Sequence, residues 1–322
     1  MRLLQKVLTR FNGLHYRQEY LCLAGNDHSD TLQVYILSDG KPIKDITKLH
    51  CFVGYNPVVF AISSHDLSTS AKENLQLVFT KWHIDQNAVF SKRDAIAMLH
   101  LKKISSTQDE SSVLFYEGVL GEHHFIPGFY QQVIALNNNI IGKRPGNVYL
   151  EGNLYKQVQI AYSIPRKISL ITTGNDQVFN LFPTDLHGKS GDQYIISLRH
   201  EGKACRQVME NKTLVLSDVA PESYKNVYAL GSNHMKEMKE RSSFDFDAGN
   251  SIHFNLPLPK HLVAYRELKL TGSFIHGIHR ILQFSIVHEQ KNVDRLPVLK
   301  HVHNCLATWQ FRSGRPGNYL LR

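Results

Sequence analysis

The chain has 322 residues, 42% hydrophobic and 20% charged, a composition of folded globular proteins that excludes disordered and fibrous classes. Its length exceeds the usual single domain, so two domains are expected, each able to bury a core of its own. The net charge is +9; residues 1–157 hold 16 basic and 14 acidic side chains and residues 158–322 hold 21 and 14, so the excess lies in the second half. It is scattered rather than gathered into a run, so a small anionic ligand explains it at least as well as nucleic acid does, with a basic nucleic-acid-binding β-barrel as a rival reading. No stretch approaches the roughly eighteen apolar residues that span a bilayer, and the opening MRLLQKVLTRF is interrupted at Lys6 and Arg10 before a signal-like apolar region develops. A cytoplasmic protein without membrane contact is therefore expected. The four cysteines, Cys22, Cys51, Cys205 and Cys305, form no CxxC pair, which predicts reduced thiols and neither a zinc site nor a disulfide framework.

In chain order, LQVYILSDGK (32–41) and NPVVFAIS (56–63) read as strands bounded by turn residues. Between them, Cys51 beside His50 has no third group in view and reads as packing. SKRDAIAMLHLKK (91–103) carries Ser91 and Asp94 in a capping pattern ahead of Ile96, Leu99 and Leu101, and predicts a helix. The polar passage 137–153, rich in Asn and Gly, is the linker candidate and puts a boundary near residue 155. On that division, residues 1–155 form a strand-rich α+β domain without a functional motif, and residues 156–322 form the second domain. There, 167–176, 193–202, 213–219, 268–277 and 281–289 read as strands, with His276-Gly277 as a tight connection between the last two. Stretches 204–212 and 223–238 have helical spacing. The fold class expected is mainly β or α+β, not a doubly wound parallel sheet. Gly25-Asn26-Asp27 and Gly174-Asn175-Asp176 repeat a tripeptide after a strand, a hint of duplicated barrels that chance explains more readily.

Several familiar chemistries find no support. His187-Gly188-Lys189-Ser190 imitates the end of a phosphate-binding loop, but Pro183 stands where its first glycine belongs, and no GxGxxG or GxSxG occurs. Of the 18 histidines, the nearest groups (His276 with His279, His301 with His303, His123 with His124) lack the carboxylate spacing of a metal site and read as structural.

Residues 164–219 are more specific. Pro165-Arg166, a strand ending Thr172-Thr173, Asn180-x-x-Pro183-Thr184, a further strand, and Lys203-Ala204-Cys205-Arg206-Gln207-Val208 opening a helix follow one another in an order and spacing that resemble the flavin reductase-like FMN-binding family. Residues 256–289 are similar to that family's later hairpin. The resemblance covers about half the chain, residues 158–322, and implies a split β-barrel that binds FMN, takes electrons from NAD(P)H and forms a homodimer. It places Thr172 and Thr173 near the ribityl phosphate and Asn180, Pro183 and Thr184 along the ring edge. Arg199 and Lys203 would be cations for the phosphate, with helix N–H donors near Cys205. The family's threonine and asparagine in the helix motif are Ala204 and Gln207 here, which removes one phosphate-binding hydroxyl. No catalytic acid or base is singled out, in keeping with chemistry carried by a flavin ring. The function expected is an NAD(P)H-dependent flavin reductase or related oxidoreductase, against the alternative of a non-catalytic flavin-binding or structural barrel acting through a partner.

Overall fold

The computed structural model describes residues 7, 10–23, 32–38, 41–64, 73–84, 90–106, 113–141, 143, 148–315 and 317–320. After β1 (Tyr20–Leu23), which belongs to a small sheet described below, seven strands form the first large sheet. They are β2 (Gln33–Ser38), β3 (Lys41–Asp45), β4 (His50–Tyr55), β5 (Val58–Ser63), β6 (Asn74–Thr80), β7 (Ala95–Ser106) and β8 (Val113–His123). Their order is β3-β2-β6-β7-β8-β5-β4, antiparallel throughout. The unbroken apolar run of β5 follows from burial on both faces: Val58, Phe60 and Ile62 enter the main core, whereas Val59 and Ala61 face the opposite way into a second cluster. Helices α1 (Gly128–Ile141) and α2 (Leu154–Ala161) follow, and Val158, Ile160 and Ala161 of α2 complete the main core.

The second large sheet is built from β10 (Ser169–Gly174), β11 (Val178–Thr184), β12 (His187–Ser190), β13 (Gln193–Arg199), β14 (Thr213–Val219), β15 (Lys239–Glu240), β18 (Leu262–His276) and β19 (His279–Gln290). Its order is β12-β13-β19-β18-β14-β10-β11-β15. Helix α3 (Lys203–Asn211) connects β13 to β14; α4 (Tyr224–Ala229), a 3-10 turn over Leu230–Met235, and the ribbon of β16 (Phe246–Asn250) and β17 (Pro257–Pro259) connect β14 to β18. Gly277, with φ +57°, makes the two-residue turn from β18 to β19. The small third sheet, β21-β1-β20-β9, gathers β1 with β9 (Arg166–Lys167), β20 (Lys300–His303) and β21 (Tyr319–Leu320), and α5 (Asn304–Arg312) follows β20.

The two large sheets follow the same path. Setting β2, β3, β4, β5, β6, β7 and β8 against β10, β11, β12, β13, β14, β18 and β19 reproduces one order from the other, with β15 the only addition among the described residues. Two of the matched pairs are equal in length: β2 and β10 have six residues each, β6 and β14 seven. The chain is thus internally duplicated in topology. The tripeptide repeat does not mark it: Gly25, Asn26 and Asp27 lie outside the described residues, and the strand before them, β1, belongs to the small sheet. The two sheets meet through their matching edges. Cys51 and Val53 of β4 and Val59 and Ala61 of β5 share an apolar cluster with Ile195 of β13 and Ile281 of β19. Gly188 of β12 allows this approach, since a Cβ there would stand 2.7 Å from Cys51 Sγ.

One predicted element has a different form. Residues 91–103 do not make a helix; a single 3-10 turn over Lys92–Asp94 leads into strand β7. The capping contacts exist, with the Ser91 N–H donating to Asp94 Oδ2 at 3.2 Å and the Arg93 N–H to Ser91 Oγ at 3.3 Å, but they close only that turn. Beyond it Ala97, Leu99 and Leu101 face the main core at period two, and pairing with β6 and β8 overrides the local helical signal. The predicted helices near 204–212 and 223–238 are present as α3 and as α4 with its 3-10 extension. The passage 137–153 begins inside α1; residues 142 and 144–147 of it lie outside the described set.

Candidate functional site

Where β4 of the first sheet meets the ends of β11 and β13, a cavity of about 360 Å³ opens. Pro183, Thr184, Asp185 and Leu186 form one wall, Ser197, Leu198 and Arg199 another, and Gly202, Ala204 and Cys205 bring the start of α3 to it. Gly231, His234 and Met235 of the 3-10 turn, Tyr55 and His279 complete it. Gly202 is the extended residue ahead of the helix (φ −73°, ψ 143°). Its position lets the first turn of α3 direct N–H groups and the positive end of the helix dipole towards the cavity.

The two halves are tied together at this point. The Arg199 guanidinium donates from Nε and Nη2 to the Tyr55 hydroxyl oxygen at 3.0 and 2.7 Å, and the Tyr55 N–H donates to His279 Nε2 at 3.3 Å. Nearby, His276 Nε2 and Glu117 Oε2 are 2.7 Å apart, and the Ile278 N–H donates to Asn56 O at 3.1 Å. Burial, helped by Arg199, pushes His279 down to about 4, so its ring is neutral at pH 7. Burial raises the Tyr55 phenol above its usual value, even against Arg199 beside it. Two buried polar atoms on residues lining this cavity, Ser197 Oγ and His279 Nδ1, have no hydrogen-bond partner among the described residues. Unsatisfied groups of this kind cost stability unless something supplies the missing bond.

A larger cavity of about 600 Å³ adjoins the first, sharing Tyr55, Asp185 and Arg199. Its walls come from Asn12, Leu14 and Glu19 near the start of the described chain, from α1 and α2, and from His301 of β20. Asp185 stands at the junction. Its Oδ2 accepts from the Tyr162 hydroxyl at 2.8 Å and lies 2.8 Å from His301 Nε2, while His301 Nδ1 lies 3.2 Å from the Tyr228 hydroxyl. Burial works to raise the Asp185 carboxyl, but these partners outweigh it and hold the group down at about 2. An ionised carboxylate, an imidazole and two phenols thus form a chain of exchangeable protons beside the cavity.

Of the residues suggested by sequence, Pro183, Thr184, Arg199 and Cys205 come together around the smaller cavity. Thr172, Thr173, Asn180 and Lys203 do not line it. Thr172 and Thr173 are buried in β10, with Thr173 Oγ1 donating to Thr213 O at 3.2 Å. Asn180 is 1% exposed and donates to Gln207 Oε1 at 2.7 Å and to Asn233 O at 3.1 Å. Gln207, the departure from the family motif, therefore locks α3 to β11 and to the 3-10 turn. Lys203 turns outward to Glu237 Oε1 at 2.7 Å, where both side chains are largely solvated. Burial raises the Cys205 thiol, so it is protonated, and burial lifts Cys51 to about 12, in keeping with its packing role. Sequence patterns point to none of Tyr55, Asp185, Ser197, Gly202 and His234 for this site, and they read His279 and His301 as structural histidines. Asp185 follows directly after Thr184 of the motif, a signal that was open to view; Tyr55 belongs to the other half of the chain and carried none.

No family model and no curated protein matches the chain. Solved structures are similar to part of it. The FMN-binding protein of Thermus thermophilus, with bound p-hydroxybenzaldehyde, is 18% identical, over 42% of this chain and 81% of that one, with a TM-score of 0.37. BorF, the flavin reductase component of a bacterial two-component tryptophan halogenase, is 14% identical over 47% and 94%, with a TM-score of 0.41. An NADH:FAD oxidoreductase of Streptomyces globisporus is 10% identical over 50% and 96%, with a TM-score of 0.42.

Proposed function

We propose that the protein is a flavin-dependent oxidoreductase that holds FMN in the smaller cavity and admits NAD(P)H and an electron acceptor through the larger one. The observation that carries this reading is one cavity onto which the start of α3 and Arg199 open, lined also by Ser197 and His279, whose buried Oγ and Nδ1 have no hydrogen-bond partner among the described residues. A ligand with a polar ring edge and an anionic end fits that set of groups. When bound, the flavin supplies the redox chemistry, and this chain's residues bind, orient and shield it. The α3 N–H groups and Arg199 hold the phosphate; Ser197 and His279 meet ring or ribityl polar atoms. Neutral His279 is suited to such a contact because its Nε2 is already engaged by the Tyr55 N–H, which leaves Nδ1 as the N–H donor. Asp185, fixed by Tyr162 and His301, holds a proton-transfer chain at the entrance from the larger cavity.

The internal duplication bears on assembly. The family resemblance implies a pair of barrels from two chains; the packing of β4 and β5 against β13 and β19 within one chain supports a different assembly. The reading is therefore of a monomer with one complete site, in place of the homodimer expected from sequence, and light scattering on the purified chain decides between them. The test of function is the absorbance spectrum of the intact protein, as purified and after reconstitution with FMN, followed by anaerobic addition of NADH. Bound flavin that bleaches on NADH addition is the expected result. Protein that neither carries nor binds FMN removes the reading; FMN that binds without bleaching leaves the non-catalytic flavin-binding module.

A further inference from the structure

Strand β20 presents His301 to the larger cavity, and alternation along the strand sends its neighbour Lys300 to the opposite face. On that face a third cavity, of about 350 Å³, is lined by Lys167, Arg266, Lys291, Arg295 and Lys300 and by a single carboxylate, Asp218. Lys167 and Lys300 are direct cross-strand partners of β9 and β20, an arrangement in which like charges repel and weaken the pairing. Asp218, with its side chain 3% exposed, lies 3.0 Å from Lys167 Nζ and 3.3 Å from Arg266 Nη1, and Glu289 lies 2.7 Å from Arg266 Nε. The two carboxylates thus engage Lys167 and Arg266. Lys291 and Lys300 have no ion-pair partner among the described residues. Burial and the neighbouring Lys167 push Lys300 below the usual lysine value, against the opposing pull of Asp218.

The loop that brings Lys291 and Arg295 to this cavity is fixed locally: Asn292 Nδ2 donates to Leu296 O at 2.7 Å and the Leu296 N–H donates to Asn292 Oδ1 at 2.9 Å. The cations converge on a concavity instead of tracking along a surface stripe, which favours a small ligand over a nucleic-acid strand. We propose that this cavity is an anion-binding site for a ligand bearing a phosphate or diphosphate group, separate from the flavin cavity and independent of the flavin reading. Arg266, held by Asp218 and Glu289, anchors the floor, and Lys300 and Lys291 supply charge-assisted bonds to the anion.

Calorimetric titration of the full-length protein with inorganic pyrophosphate at low ionic strength tests this, with ADP as a parallel probe. Saturable binding is expected, weakened about tenfold or more by Lys300→Ala and by Lys291→Ala, largely retained in Lys300→Arg, and unchanged in Arg199→Ala, whose charge belongs to the other cavity. Tighter binding of ADP than of pyrophosphate assigns the phosphate to a nucleotide; the reverse assigns it to an inorganic or non-nucleotide source. Lys291 lies on an exposed loop, so its variant remains informative if Lys300→Ala disturbs folding. Absence of saturable binding, equal affinity in the parent and in Lys291→Ala, or an oligonucleotide that binds more tightly than either probe would overturn the proposal.

Discussion

Tyr55 is the residue through which one half of the chain completes a site in the other. Its hydroxyl accepts both guanidinium bonds of Arg199, so the cation is held at the junction of the two cavities. In the proposed flavin site, Arg199→Ala should lower FMN affinity about ten- to a hundredfold, the cost of roughly 1.5–3 kcal/mol for a charge-assisted bond, with a much smaller effect on riboflavin, which lacks the phosphate. Lys203→Ala should change FMN affinity by less than about threefold, because that ammonium is engaged with Glu237 on the solvated surface. Parallel titrations with both flavins check this; a Lys203 variant as impaired as the Arg199 variant would place the phosphate elsewhere. Glu267 shows the same economy in a purely structural role. It is 0% exposed, and its carboxylate accepts the backbone N–H groups of His253 and Phe254 at 2.6–3.1 Å. Glu267→Ala should cost about 3 kcal/mol in denaturant unfolding through those orphaned donors.

Among the elements, the seam of β4 with β12 is the most constrained. Gly188 faces Cys51 with no room for a side chain, so Gly188→Ala overpacks the seam and should destabilise the protein by about 1–3 kcal/mol. Combining it with Cys51→Ala removes the clashing sulfur, and the double variant should be more stable than the sum of the two losses by at least about 0.5 kcal/mol. Urea unfolding of the four proteins in the cycle measures the coupling; additive losses would mean that the two strands do not meet as described. Helix α3 packs on the second sheet through Ala204, Cys205 and Val208, and the bond between Asn180 and Gln207 ties its middle to β11. Asn180→Ala is therefore expected to act on the position of the helix, not on a ring contact.

At the scale of the whole molecule, buried neutral histidines govern the response to acid. Burial pushes His50 down to about 3 and His123, His187 and His279 down to about 4. Between pH 6.5 and 4 the unfolded chain thus binds protons at these sites that the folded chain does not, and stability rises with pH across that window. It is fully present above about pH 6.5 and declines as pH falls towards 4. Below that, Asp185 and Asp218, both held at about 2, lose their own contribution as pH falls from about 4 through 2. Urea midpoints should accordingly drop between pH 7 and pH 5, with net proton uptake on unfolding; a flat profile over that range would mean that these rings are charged in the folded state.

By itself the sequence determined the strand-rich class, the extents of strands such as Thr213–Val219, and the helix after Gly202. These rest on period-two patterning, turn residues and motif spacing, all of which are local. Only the tertiary structure decided that residues 91–103 continue as a strand, because pairing with β6 and β8 outweighs a one-turn cap. Only it revealed the duplication, since two sheets can share a path while their residues differ. It also made Tyr55 and His279 neighbours across 224 positions, turned Lys203 away from the cavity, and set Lys167 opposite Lys300. Contacts of that range arise from sheet order and the packing of two faces, and no short window of sequence records them.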